Sequence, residues 1–127
     1  MAKPLLGVVA GLVVWLILAS VAGLILRAAW PAYAQVATAM TFTLSMKIAR
    51  LAIGAVATVA AGVVARAVAR STAAGLVVGA VLLVIFVPEH VELWDKFPIW
   101  YHLTFLLSLV PLSYFGSRMV RIPLSSN

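Results

Sequence analysis

An all-α fold is predicted, an integral-membrane bundle of four transmembrane helices forming one domain over residues 1–127, and three observations predict it. The chain is 65% hydrophobic and 9% charged, where a water-soluble domain carries about 25% charged residues. Its mean hydropathy is +1.19. The apolar residues fall into four runs, and since a helix crossing the hydrocarbon core needs about 20 residues, four spans with short connections use up the length.

The first run is free of charge from Pro4 to Leu26, with Lys3 before it and Arg27 after it. It predicts a span over 5–26. Ser20-Val21-Ala22 looks like a small-residue cleavage site, but the apolar stretch is too long for a secretory signal, so a retained helix is expected. The second span, 45–68, has an uncharged centre from Leu51 to Ala65, and its flanking Lys47, Arg50, Arg66 and Arg70 can snorkel to the interfaces. At about 1.5 Å per residue it reaches on the order of 36 Å. The third, 73–87, is expected to stop at Pro88, which lacks the N–H that would continue the ladder. The fourth, 97–116, opens on Phe97-Pro98, with proline in the favoured first turn.

Orientation follows from the cations between spans. An inside N-terminus puts Lys3, Arg66, Arg70, Arg118 and Arg121 on the cytoplasmic side, against Arg27, Lys47, Arg50 and Lys96 outside. All three carboxylates, Glu89, Glu92 and Asp95, then lie outside, and both termini are expected in the cytoplasm. Trp30, Tyr33, Trp94, Phe97, Trp100 and Tyr101 fall at the proposed outer ends, where amphipathic rings form a belt at the headgroup level. The long uncharged connection 28–46, interrupted by Pro31, is expected as a short interfacial helix between the first two spans, covering the outer mouth of the bundle, with a lid over a lipid or quinone pocket as the alternative.

Small residues recur at a spacing of four: Gly7 and Gly11 in the first span, Gly54, Thr58 and Gly62 in the second, Gly75 and Gly79 in the third. That spacing keeps them near one helix face, where backbones can approach closely in lipid. The alanine-rich second span is the expected centre of the bundle. Pro111 within the fourth span predicts a kink, with Ser108 available to the carbonyls it frees.

One stretch concentrates chemistry. Between Glu89 and His102 lie both histidines and all three carboxylates of the chain. His90 and His102 with Glu89 or Glu92 are the candidate ligands of a divalent metal, because imidazole with carboxylate suits zinc, iron or copper. No Glu-x-x-His or His-x-x-x-His spacing is present, and the leading expectation is instead ion pairing at the mouth of the bundle, with Glu89, Glu92 and Asp95 facing Arg27, Lys47, Arg50 and Lys96, and His102 beside them. The same cluster would line the mouth of a proton or ion pathway. No cofactor is expected. With no cysteine in the sequence, thiol chemistry and Cys-ligated centres are excluded. The net charge of +6 is scattered at the ends of apolar runs and forms no stripe for nucleic acid.

The stretch from Glu92-Leu-Trp-Asp-Lys-Phe-Pro to Pro111, together with Trp30-Pro31-Ala32-Tyr33, resembles small bacterial inner-membrane proteins with four predicted helices and no established activity. The resemblance implies a multi-pass protein of the bacterial cytoplasmic membrane and transfers no site residue. In helix count the chain is also similar to small multidrug-resistance transporters and dual-topology fluoride channels, but the glutamate in the first helix of the former and the hydroxyl- and Phe-rich filter of the latter are missing. The leading expectation is a non-enzymatic accessory or assembly subunit whose partners are the bilayer and other membrane subunits. The second is a homo-oligomeric channel or transporter lined by Thr58 and Ser108 below the Glu89/Glu92/His102 cluster, and the third a metal- or quinone-linked redox subunit depending on His90 and His102.

Overall fold

A computed structural model describes residues 2–71 and 73–120. Arg121, one of the expected inner cations, lies outside the described residues. The chain forms α1 (Ala2–Ala29), α2 (Pro31–Val36), α3 (Leu44–Ala69), α4 (Ala73–Glu92), a 3-10 turn (Trp94–Lys96) and α5 (Ile99–Met119). The four longer helices are each long and apolar enough to cross a membrane, and they pack as a bundle in which α3 touches α1, α4 and α5.

Local signals explain where the helices start and stop. Pro31 takes the first turn of α2. Thr43 caps α3: its hydroxyl accepts from the Met46 amide at 3.4 Å, while the Met46 sulfur accepts from the Thr43 amide at 3.5 Å. This is a capping box with methionine where glutamate is usual. At the other end of α3, Arg70 adopts φ 60° and donates its amide to the Arg66 carbonyl at 2.6 Å. A left-handed position suits glycine, and a side chain there costs about 1 kcal/mol. Arg70→Gly is therefore expected to stabilise the protein by about 1 kcal/mol, read as a higher midpoint in a detergent unfolding titration.

The third span differs from its expected end. Helix α4 runs through Pro88 to Glu92, because proline removes one backbone bond without forbidding the next turn, and the lost partner belongs to Val84 on an exposed stretch of helix. That extra turn turns His90 into the bundle. In α5, which also continues through its proline, Ser108 does not serve the carbonyl of Leu107. Its hydroxyl donates to Phe105 O at 2.8 Å, since a helical serine reaches back three or four residues and not one.

The helices meet over glycine. At Gly7 a Cβ would lie 2.6 Å from the Cβ of Ala69, and at Gly11 2.8 Å from the Ala61 carbonyl oxygen, so α1 rests on the alanine face of α3. Gly62 of α3 faces the Ser113 carbonyl of α5, Gly116 of α5 faces the Val59 carbonyl of α3, and Gly75 and Gly79 of α4 face Ser117 and Ser113. Between these contacts lies a core of Trp15, Ala57, Ala61, Ala65, Val78, Leu82, Phe105 and Leu109. A second buried cluster, Tyr33, Ala37, Phe42, Met46, Phe97 and Tyr101, closes the end of the bundle where α2 and the following turn fold over it. Half of the expected aromatic belt is thus turned inward. Tyr33, Phe97 and Tyr101 are buried, whereas Trp94 and Trp100 remain exposed, because α2 and the 36–43 segment offer those three rings a protein surface to pack on.

Candidate ligand cavity at the capped end of the bundle

Arg50 lies two turns into α3, at the level of the second cluster. Its Nη1 donates to the Tyr33 hydroxyl at 2.9 Å and its Nε to the Tyr101 hydroxyl at 3.1 Å. The guanidinium stands over the Phe42 ring at 4.7 Å and the Phe97 ring at 5.5 Å. Two phenol oxygens and two ring faces thus compensate a cation placed between helices. These partners correct the expected ion pairing: Arg50 reaches tyrosines and not carboxylates, because Glu89, Glu92 and Asp95 are exposed. Lys47 is half-buried on the same helix, one turn earlier.

The two histidines meet each other. The Nδ1 atoms of His90 and His102 are 2.6 Å apart, and His102 Nε2 lies 3.2 Å from the Trp94 carbonyl oxygen. A carbonyl only accepts, so His102 Nε2 carries a hydrogen. With both rings neutral, His102 Nδ1 then holds a lone pair, and His90 Nδ1 must be the donor across the pair. His90 Nε2 is left as an unprotonated acceptor. His102 is fully enclosed, its ring stacked on Trp94 with centroids 4.5 Å apart and edge-on to Phe97. This corrects its expected position at the mouth. His90 stacks on Phe105 at 4.9 Å.

A metal held jointly by the expected ligands does not fit this arrangement. Among the described residues no three His, Cys, Asp or Glu side chains converge. The facing Nδ1 atoms are too close to admit an ion at bond lengths of about 2.0–2.1 Å to each nitrogen. Thr58 and Ser108, expected along a pathway, are both engaged within the protein: the Thr58 hydroxyl donates to Gly54 O at 2.6 Å and accepts from Trp15 Nε1 of α1 at 2.9 Å, and the Ser108 hydroxyl donates to Phe105 O.

Between α1 and the capped end lies a cavity of about 330 Å³. Trp15, Ala19 and Gly23 of α1 form one wall, and Arg50, Ile53 and Gly54 of α3 the next. Phe86, Glu89 and His90 of α4 face them, with Tyr101 and Phe105 of α5 behind and Tyr33 and Phe97 above. Helices α1 and α4 touch lower down, where Gly11 approaches Val78 and the Trp15 and Phe86 rings lie 4.8 Å apart. Further along α1, Gly23 also lines the cavity, and a Cβ there would meet nothing within 4 Å. The volume lies at the small end of ligand sites, about 300–1,000 Å³.

Of the site residues singled out from sequence, Arg50, Glu89 and His90 of the polar cluster and Gly54 of the small-residue series reach this cavity. Glu92, Asp95 and Lys47 do not line it. Sequence reasoning missed Trp15, Phe105, Tyr33 and Tyr101 as parts of one site. A tryptophan in the middle of the first span was the available signal, since its N–H needs a buried partner there. No protein-family model, curated protein or solved structure matches the chain.

Proposed function

We propose that this is a non-enzymatic accessory protein of a bacterial cytoplasmic membrane, with both termini in the cytoplasm, that holds a small membrane-borne amphiphile and presents it to other membrane subunits. The observation that carries the reading is the cavity itself. It is lined by aromatic faces and lies in a bundle with four membrane-length helices. Two polar groups on its wall, Arg50 and His90, keep hydrogen-bonding capacity that the protein does not use. Such a balance of apolar wall and few polar groups suits the binding and orienting of a ligand with a small polar head. The hydroxyls of Thr58, Ser108, Ser113 and Ser117 each donate to a carbonyl of their own helix, which favours holding over nucleophilic chemistry.

The test is purification from native membranes in a gentle detergent, followed by mass analysis of the intact assembly. One small amphiphile per chain, together with other polypeptides at fixed ratio, is the expected result. A chain that emerges alone and without a bound molecule would overturn the proposal, and a pure homo-oligomer would turn attention to flux.

A further inference from the structure

We infer that the cavity takes the ring of a hydroxylated aromatic amphiphile, a quinol, with His90 Nε2 accepting a ring hydroxyl and Arg50 donating to a ring oxygen. The inference rests on reading the cavity as a ligand site, and adds the chemical class.

The argument is one of complementarity. His90 is 7% exposed and lines the cavity, and its ring makes its one hydrogen bond through Nδ1, which leaves Nε2 without a protein partner. The hydrogen-bond chain from the Trp94 carbonyl through His102 fixes that nitrogen as an acceptor when the rings are neutral. Arg50, which also lines the cavity, spends one N–H on each tyrosine, and a guanidinium has five, so it keeps donors to spare. A ligand must therefore bring both a donor and an acceptor.

Charge narrows the class. A carboxylate or phosphate head would suit Arg50, but its lone pairs would face those of His90 Nε2 and the charge of Glu89 at the rim. A cationic head would face Arg50. A neutral head carrying hydroxyls meets neither objection. The shape of the wall then selects a flat head: Trp15, Phe86 and Phe105 pack edge and face on one another with centroids 4.8–6.4 Å apart, and they present ring surface to the space. About 330 Å³ holds a small ring head.

The experiment uses the full chain in detergent under anaerobic, reducing conditions. Calorimetric titration compares three probes with the same decyl tail: an alkyl hydroquinone, its dimethyl ether and the corresponding cyclohexanediol. The hydroquinone is expected to bind at least about tenfold more tightly than either of the others, because only it offers both a flat ring and a hydroxyl to the acceptor. In His90→Phe the preference over the ether should fall to about unity while the ether still binds. Should that variant not fold, nitrogen NMR of the unaltered protein carries the same test: hydroquinone moves the His90 Nε2 resonance toward the protonated range, and the ether leaves it in place. Equal affinity for hydroquinone and ether would overturn the role of His90, and equal affinity for the cyclohexanediol would overturn the aromatic head. If none of the three binds although an amphiphile co-purifies, the quinol assignment falls and the ligand site stands. If nothing binds and nothing co-purifies, both fall.

Discussion

Gly62→Ala is expected to lower the stability of the bundle by on the order of 3 kcal/mol, at the upper end of what added volume costs in a packed interior. The added Cβ would overlap the Ser113 carbonyl, a backbone atom that cannot rotate away, so α3 and α5 must separate or shift along each other. Their separation would also loosen the reciprocal contact of Gly116 with Val59. Gly23→Ala is the matched control. Its Cβ meets nothing within 4 Å, and the substitution is expected to be neutral or to stabilise by up to about 1 kcal/mol through helix propensity. Unfolding titrations of both variants in mixed detergent check the contrast. Similar midpoints for the two would mean that close backbone approach does not hold the helices together.

Arg50→Met should have the second large effect, and on two readouts. Two buried phenol hydroxyls lose their donor, each at a cost of about 1–3 kcal/mol, and a net loss of roughly 2–4 kcal/mol is expected. The end cluster of Tyr33, Phe42, Phe97 and Tyr101 loses the cation that stands over two of its rings. Arg50→Lys should restore less than half, because an ammonium cannot address two hydroxyls from a planar fork. Adding Tyr33→Phe and Tyr101→Phe to Arg50→Met should recover stability, since removing both partners of a buried hydrogen bond is far cheaper than removing one. Ligand occupancy should stay low in the triple variant. Thermal unfolding read alongside binding separates the two roles: recovery of both would show that Arg50 serves the fold alone.

The four long helices were legible because lipid imposes a simple rule. Uninterrupted apolar runs such as Pro4 to Leu26 satisfy their backbone only as helices. The spacing of Gly7, Gly11, Gly54, Gly62, Gly75 and Gly79 drew attention to the surfaces that touch one another, but Gly116, with no small partner four residues away, escaped the pattern. Proline misled in one place: the sequence marks Pro88 as a stop, and only packing of the following turn against α5 explains why the helix goes on to Glu92. The site was harder to read, since charge complementarity in sequence points Arg50 at the carboxylates, whereas it meets tyrosines 17 and 51 positions away. The meeting of His90 with His102 likewise depends on the extra turn of α4. Both facts arise from tertiary placement, for which a separation of twelve positions carries no periodic signal.

The central claim, that this end of the bundle holds a small amphiphile, is tested most directly by filling the cavity from α1. Ala19 is half-buried on its wall, and Ala19→Trp would place an indole in the space. Native mass spectrometry of the unaltered protein and the variant, purified side by side, is the measurement. The account predicts one bound amphiphile per chain in the unaltered protein and its loss in Ala19→Trp, with the unfolding midpoint preserved. Equal occupancy in the two proteins, or none in either, would contradict it.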